Sequence, residues 1–327
     1  MKCRRSFLYA CLAVLCVLPH AAGAAEPKTV GILSLGGDPA DKSSTSWPSL
    51  YARMRELGWI DGRNILYLPR GVNGDLARLD TAVKELVGAE VAVIVTTGSQ
   101  EALAAARATR SIPIVTLHPS DPVDLGLAAS LARPGGNVTG QTLRAPGLGA
   151  KQFELIAEMQ PAAKRFVFAQ GSGVYPMLVK ELQAAAQHRG VSFKQSAVPE
   201  TGDLNVWIGK AKREGAEAMI LLLDARTYPQ ARRAALADAL IRHKLPAICE
   251  VAAYAESGCL MSYGASFSDF YSRGAEHVDK ILRGAKPGDM PIEQPTKFKL
   301  VINMKTATAL GITIPKTLLV RADEVVQ

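Results

Sequence analysis

The chain has 327 residues, of which 21% are charged and 6% are aromatic, and its formal net charge is +8 at pH 7. This length is enough for two domains of ordinary size. The basic residues are dispersed and aromatic residues are sparse, whereas nucleic-acid binding calls for a basic patch with stacking side chains, so we expect no nucleic-acid partner.

The first 25 residues have the three parts of a secretory signal peptide. Basic residues precede an uncharged apolar run at 7–18, and small residues follow at 22–25. The run is shorter than the roughly 20 residues of a membrane-spanning helix, which argues against an anchor. Cys11 lies inside the run rather than at a cleavage site, which argues against a lipoprotein. We expect a signal peptide over residues 1–25 and a mature chain in the periplasm.

Two cysteines, Cys249 and Cys259, remain in the expected mature chain. An oxidising compartment would allow them to form a disulfide. Each also lies in an apolar context in which free buried cysteines are common, so both states stay open.

The mature chain alternates short apolar runs with longer amphipathic stretches. The predicted strands are residues 30–35, 64–68, 91–96, 113–117, 165–169, 191–198, 218–223, 246–249, 259–263 and 297–302. The predicted helices are residues 45–57, 75–87, 99–108, 123–131, 147–159, 176–189, 203–214, 228–243, 250–257, 267–282 and a last one from Thr306. Turn-forming residues cluster at 133–140 and divide this alternation into two runs. We therefore predict an α/β protein with two Rossmann-like lobes, each with a parallel sheet.

Ligands of open parallel sheets bind beyond the carboxyl ends of the strands. The small, polar or glycine-containing segments after the predicted strands are therefore the candidate ligand-binding residues. In the first run they are Ser34, Gly36, Thr97, Gly98, Ser99, Gln100, Ser120 and Asp121. In the second run they are Ser172, Tyr175, Asp224, Arg226, Glu250 and Tyr263.

The charges of these residues suggest how a ligand is held. Residues 97–100 open a helix, whose free N–H groups attract an anion, and Ser120 is expected to help. Asp224 or Glu250 would pair with an amino group, although Glu250 could instead cap its helix and Tyr263 could simply pack. Arg226 would bind a second carboxylate or form an internal ion pair with Asp224.

The chain lacks the patterns expected of an enzyme. The first strand is not followed by a dinucleotide-binding fingerprint, and neither a P-loop nor a nucleophile elbow is present. His118, Ser120 and Asp121 lie too close together in one loop to face each other as a catalytic triad. The histidines and cysteines have no metal-binding spacing. We predict no catalytic residue, no metal and no cofactor.

Eight runs spread over the mature chain form a recognisable set. They are IPIV at 112–115, SDPV at 120–123, GLAASLARPGGNVTG at 126–140, RHKLPA at 242–247, GCLMSYG at 258–264, QPTKF at 294–298, INMKTA at 302–307 and LLVRADE at 318–324. Together they resemble the ABC transporter substrate-binding family that includes tryptophan-binding lipoproteins. The loop at 224–228 departs from the usual proline-rich version of the family.

The resemblance implies a type I periplasmic-binding fold with three hinge crossings and a small molecule held between the lobes. It implies a membrane permease and its ATPase as partners, a monomer, and no catalysis; characterised relatives bind aromatic or branched amino acids. The expected lobes are residues 26–139 with 265–290, and residues 140–264 with 291–327. The hinge is expected at 139–140 and 263–264, with a third crossing between 284 and 294. A sensor domain and a Rossmann-like enzyme are the alternatives.

Overall fold

The structure is a computed structural model that describes residues 26–36, 39, 47–143, 145–170, 176–199, 202–224 and 226–327. Within this part of the chain the strands form two sheets. The strands of the first sheet are β1 (Lys28–Ser34), β2 (Ile65–Gly71), β3 (Val93–Thr96), β4 (Ile114–Thr116) and β5 (Val138–Gly140). The strands of the second sheet are β6 (Arg165–Gln170), β7 (Ser192–Ala197), β8 (Ala218–Leu221), β9 (Ala247–Cys249), β10 (Met261–Ala265), β11 (Phe298–Asn303) and β12 (Glu324–Val326). The predicted pair of sheets is confirmed.

Helices cover both sheets. In chain order they are α1 (Trp47–Glu56), α2 (Leu79–Gly88), α3 (Ser99–Ala108), α4 (Leu148–Met159), α5 (Pro176–Arg189), α6 (Leu204–Arg213), α7 (Gln230–Arg242), α8 (Ala252–Glu256), α9 (Phe267–Leu282), α10 (Met304–Leu310) and α11 (Lys316–Arg321). None of the helices in the described part of the chain combines the length and apolar character needed to cross a bilayer.

The first sheet has the strand order β2-β1-β3-β4-β5, and its strands pair in parallel. Every residue of β3 is buried, with Val93 and Val95 in one apolar cluster and Ile94 in another. A strand packed on both faces has no polar face, which explains its continuous apolar sequence. Because β3 and β4 are parallel, the segments that follow them, residues 97–100 and 118–121, lie at the same edge of the sheet.

The second sheet has the order β12-β11-β10-β9-β8-β6-β7, and the neighbours are parallel except for β10 and β11. In that antiparallel pair Ser262 lies opposite Val301, and Ala265 lies opposite Phe298. The carboxyl ends of β8 and β9 share one edge, which places residues 222–224 and Glu250 side by side.

Helix α9 lies on the first sheet although it follows β10 of the second. Its Tyr271 ring contacts Trp47 of α1 edge to face at 4.7 Å, and Trp59 Nε1 donates to Asp279 Oδ1 at 2.8 Å. The chain therefore returns to the first sheet after β10 and leaves it again before β11. With the passage from β5 to α4, it crosses between the sheets three times.

Backbone hydrogen bonds tie the first and third crossings together. Thr142 N donates to Glu293 O at 3.0 Å, and Glu293 N donates to Gly140 O at 2.9 Å. Gly140 has φ +120°, and a Cβ there would overlap the backbone of Thr116. Only glycine fits this position at low cost, because it combines a positive φ with a close backbone approach.

One predicted helix is wrong, and one strand was not predicted. Residues 123–131 form turns and no helix, because Gly126 has φ +69° and the Asp121 carboxylate accepts from the N–H groups of Val123 and Asp124. These bonds close a side-chain turn in place of the first helical turn. Strand β5 was not predicted; it lies inside the segment 133–140, where turn formers cluster and where the first crossing was expected. Asp75 does cap, but it caps a short 3-10 turn at Leu76–Arg78 that precedes α2.

Candidate functional site

The loops after β3 and β4 are joined by hydrogen bonds at the carboxyl edge of the first sheet. Ser99 Oγ accepts from Ser120 N at 3.0 Å and lies 3.2 Å from Ser120 Oγ. Thr142 Oγ1 of the first crossing donates to Ser120 O at 2.6 Å. The structure thus brings two predicted site residues, Ser99 and Ser120, into contact and connects them to the hinge.

A carboxylate that the sequence analysis missed lies at the start of α3. Glu101 is 3% exposed, accepts from Leu35 N at 2.9 Å, and accepts from the Thr97 hydroxyl. Its Oε2 is 3.1 Å from the position of a Cβ on Gly98. The sequence carries a signal for this, because Glu101 is the third residue of the helix, where a glutamate folds back towards the helix start. The edge predicted to bind an anion therefore already contains a buried carboxyl group.

Asp224 and Arg226 form an ion pair at the edge of the second sheet. Arg226 Nε lies 2.7 Å from Asp224 Oδ1, Nη2 lies 3.2 Å from Oδ2, and Arg226 N also donates to Oδ1. The Asp224 side chain is 1% exposed and that of Arg226 is 21% exposed. The internal pair is the alternative that the structure adopts, and it leaves about a fifth of the Arg226 side chain exposed.

Glu250 lies beside this pair and is enclosed. Its Oε2 accepts from Leu223 N at 2.9 Å, and burial raises the pKa of its carboxyl group to about 7. The residue does not cap α8, which has no side-chain cap. Glu250 therefore links the ends of β8 and β9 and can exchange a proton near neutral pH.

The remaining predicted residues are less closely grouped. Tyr263 stacks on Phe298 at 5.8 Å, and its carbonyl accepts from Gln152 Nε2 at 2.9 Å. Ser34 is buried at the end of β1, and Gly36 is exposed. Ser172 and Tyr175 lie outside the described residues.

The two cysteines are buried free thiols. Burial raises the pKa of the Cys249 thiol, and the adjacent Cys259 thiol raises it further. Ionisation of Cys249 is therefore suppressed, which makes it a poor nucleophile.

Four aromatic side chains, which we call the aromatic row, connect the carboxyl edges of the two sheets. They are His118 after β4, Phe267 at the start of α9, Tyr228 after β8 and Tyr254 in α8. The ring centroids of His118 and Phe267 are 4.6 Å apart, those of Phe267 and Tyr228 are 5.7 Å apart, and those of Tyr228 and Tyr254 are 6.1 Å apart. The row thus runs from the edge of the first sheet to the edge of the second, with Tyr254 and Phe267 buried and Tyr228 partly buried.

His118 contributes the imidazole ring of the row. Part of the residue is exposed, but both ring nitrogens are enclosed and neither has a hydrogen-bond partner among the described residues. Burial lowers the pKa of the imidazole to about 4, so the ring is neutral at physiological pH. No group of three or more histidine, cysteine, aspartate or glutamate side chains suited to a metal ion occurs in the described ranges.

The profile of a family described as ABC transporter substrate binding protein matches residues 49–326. A tyrosine-binding protein of Clostridioides difficile strain R20291 is 24% identical over 291 residues, which cover 88% of this chain and 82% of the relative.

Two solved structures have the same fold. An ABC domain from Streptococcus pneumonia, in complex with L-Trp, superposes with a TM-score of 0.81 at 25% identity, covering 92% of this chain and 100% of that chain. A conserved domain protein from Vibrio cholerae O1 biovar El Tor strain N16961 gives a TM-score of 0.81 at 24% identity, with the same coverage. The predicted type I periplasmic-binding fold is confirmed.

Proposed function

The chain belongs to the family of ABC transporter substrate binding proteins, and from that premise we propose that it captures an aromatic amino acid between its lobes and delivers it to an ABC importer. The family consists of solute-binding proteins rather than enzymes. The proposed lobes are residues 26–139 with 265–290 and residues 140–264 with 291–327. We further propose export by the signal at residues 1–25, action as a periplasmic monomer, and docking on a permease with its ATPase.

The aromatic row carries the proposal about the ligand. A planar ring that enters beside Phe267 and Tyr228 would stack on aromatic faces in a largely desolvated space, where such pairs add about 0.5–1.5 kcal/mol each beyond area burial. The Clostridioides difficile relative is named for tyrosine and the Streptococcus structure contains L-Trp, which supports the same ligand class.

The charged residues at the two edges suit the two poles of an amino acid. Glu101 in the first lobe would attract the ammonium group, and the accessible part of Arg226 in the second lobe would attract the carboxylate. An ion taken out of water needs such a partner, because an unpaired buried charge is costly. The earlier candidates also remain proposed site residues: Ser34, Gly36, Thr97, Gly98, Ser99, Gln100, Ser120, Asp121, Ser172, Tyr175, Asp224, Glu250 and Tyr263.

Isothermal titration calorimetry of the mature chain tests this function. We expect binding of at least one of L-tyrosine, L-tryptophan and L-phenylalanine, and much weaker binding of L-glutamate and of indole-3-propionate, which lacks the amino group. Small-angle scattering should show compaction with the bound ligand, because proteins of this shape close by hinge motion. If no aromatic amino acid binds, the proposed ligand class is wrong.

A further inference from the structure

We propose that His118 recognises a polar group on the ligand's ring, so that the site prefers a phenol or indole side chain to an unsubstituted phenyl ring. This inference rests on the proposed function and specifies the ligand class more narrowly. It starts from the two enclosed ring nitrogens of His118, which lack a partner among the described residues.

Enclosed polar atoms without partners are rare in folded proteins, and each one calls for an explanation. His118 is not an isolated residue of the core, because it follows β4 in the same loop as Ser120, at the edge where parallel sheets bind ligands. The missing partner is therefore expected from a molecule that enters at this edge.

The neighbours of His118 pack around its ring, and none of them forms a hydrogen bond with its nitrogens. The ring stacks on Phe267 with an interplanar angle of 16°, and Phe270 and Tyr271 lie at centroid distances of 6.1 and 6.0 Å. The two phenylalanines offer no hydrogen-bonding group. They hold the imidazole in one plane, so that its nitrogens can select a partner by position.

The protonation state of the imidazole determines what it can recognise. Burial keeps the pKa of His118 near 4, so the neutral ring has one N–H donor and one bare acceptor nitrogen. A phenol O–H or an indole N–H can donate to the acceptor nitrogen, and a phenol oxygen can also accept. Phenylalanine can do neither and would leave both nitrogens unsatisfied.

Phe267 lies between His118 and Tyr228 and directly follows the second crossing between the sheets. Opening of the hinge would change the distance between Tyr228 and the pair formed by His118 and Phe267. A ligand would therefore reach the imidazole nitrogens in an open form of the hinge.

The test compares the affinities of L-tyrosine, L-tryptophan and L-phenylalanine for the mature chain and its variants. For the parent chain we expect tyrosine or tryptophan to bind about 10- to 100-fold more tightly than phenylalanine, the usual cost of an unpaired buried polar group. In His118→Phe this ratio should fall to about 3 or less, because the polar ligand binds more weakly while phenylalanine does not. His188→Phe makes the same change on the exposed end of α5 and should leave the ratio unaltered.

Two further measurements keep the test decisive if His118→Phe folds poorly. His118→Asn places an amide near the position of Nδ1, and His118→Gln places one near the position of Nε2. The variant whose amide replaces the nitrogen that contacts the ligand should restore part of the preference for tyrosine or tryptophan. O-methyl-L-tyrosine and 1-methyl-L-tryptophan remove the donor from the ligand and should lose most of the advantage over phenylalanine in the parent chain.

The outcomes separate the two proposals. An equal ratio in the parent chain and in His118→Phe, or phenylalanine as the tightest ligand of the parent, overturns the role of His118 and leaves the proposed function intact. Absence of binding by all three aromatic amino acids refutes the proposed function and this inference with it.

Discussion

Glu250 and His118 are expected to oppose each other in the pH dependence of stability. Burial raises the pKa of Glu250 from 4.5 to about 7 and lowers that of His118 from 6.5 to about 4. Between pH 4.5 and 6.5 the folded chain keeps a proton on Glu250 that the unfolded chain releases. In the same range the unfolded chain binds a proton on His118 that the folded chain lacks. Rising pH therefore lowers stability through Glu250 and raises it through His118.

The two contributions are similar in size. Each pKa changes by about 2.5, and one pKa unit corresponds to about 1.4 kcal/mol, so each group alters the free energy of unfolding by about 3 kcal/mol across its range. Their sum should be close to zero between pH 4.5 and 6.5, whereas either group alone would give a steep slope.

Single substitutions should reveal the two opposing pH dependences of the free energy of unfolding. In Glu250→Gln the free energy of unfolding, relative to the parent chain, should rise by about 3 kcal/mol between pH 4.5 and 7, because the destabilising ionisation is removed. In His118→Phe it should fall by about 3 kcal/mol between pH 4 and 6.5. The side-chain amide introduced by Glu250→Gln can still accept from Leu223 N, so the backbone contact is kept.

Urea unfolding followed by circular dichroism at four pH values between 4 and 7.5 measures these differences. Subtracting the parent curve removes the contributions of all other titrating groups. The double variant should again follow the parent curve, because both opposing terms are gone. Single-variant curves that run parallel to the parent within about 0.5 kcal/mol would refute the reasoning.

Three other predictions concern the hinge, the ligand and the thiols. Gly264→Ala should lower the free energy of unfolding, measured in urea, by about 3 kcal/mol, because the new Cβ would overlap the backbone carbonyl of Glu250. The control Gly36→Ala, where a Cβ meets open space, should change this free energy by less than about 0.5 kcal/mol. Equal losses in the two variants would contradict this packing. Glu101→Gln should weaken the binding of an aromatic amino acid about tenfold, as measured by calorimetry, and should leave the affinity for its desamino analogue unchanged. Equal losses of affinity for both ligands would exclude the ammonium contact. Cys249 and Cys259 should not react with a thiol reagent in the folded chain and should both react in urea; failure to react in urea would mean that they are paired.

Sequence periodicity predicted the regular elements well where the local pattern was strong. The bounds of α3 and α9 were predicted at Ser99–Ala108 and Phe267–Leu282, as observed. In α9 the apolar residues recur at helical spacing and a buried face results. Strand β5 was missed because three residues among turn formers carry no periodic signal, and its pairing with β4 depends on distant residues.

The candidate site was predictable in position but not in chemistry. Parallel topology alone places the segments after β3, β4, β8 and β9 at sheet edges. The aromatic row joins His118 and Phe267, which are far apart in the chain, so no local pattern indicates their contact. The pairing of Asp224 with Arg226 was one of two open alternatives, because sequence spacing does not show whether a nearby charge or a ligand takes the arginine.

The return of α9 to the first sheet has a consequence for the timing of folding during synthesis. Trp47 of α1 packs on Tyr271 of α9 in the core, and Arg53 of α1 binds Glu276 of α9 across 223 residues, so the first lobe cannot complete its core until most of the chain has been made. At about 5–20 residues per second this interval lasts about 10–45 s, and contacts of such long range also slow folding itself. If the chain is exported as proposed, a nascent chain that reaches a membrane channel within that time would still be unfolded and could be threaded through it. The discontinuous lobe thus delays its own folding, as the proposed export would require.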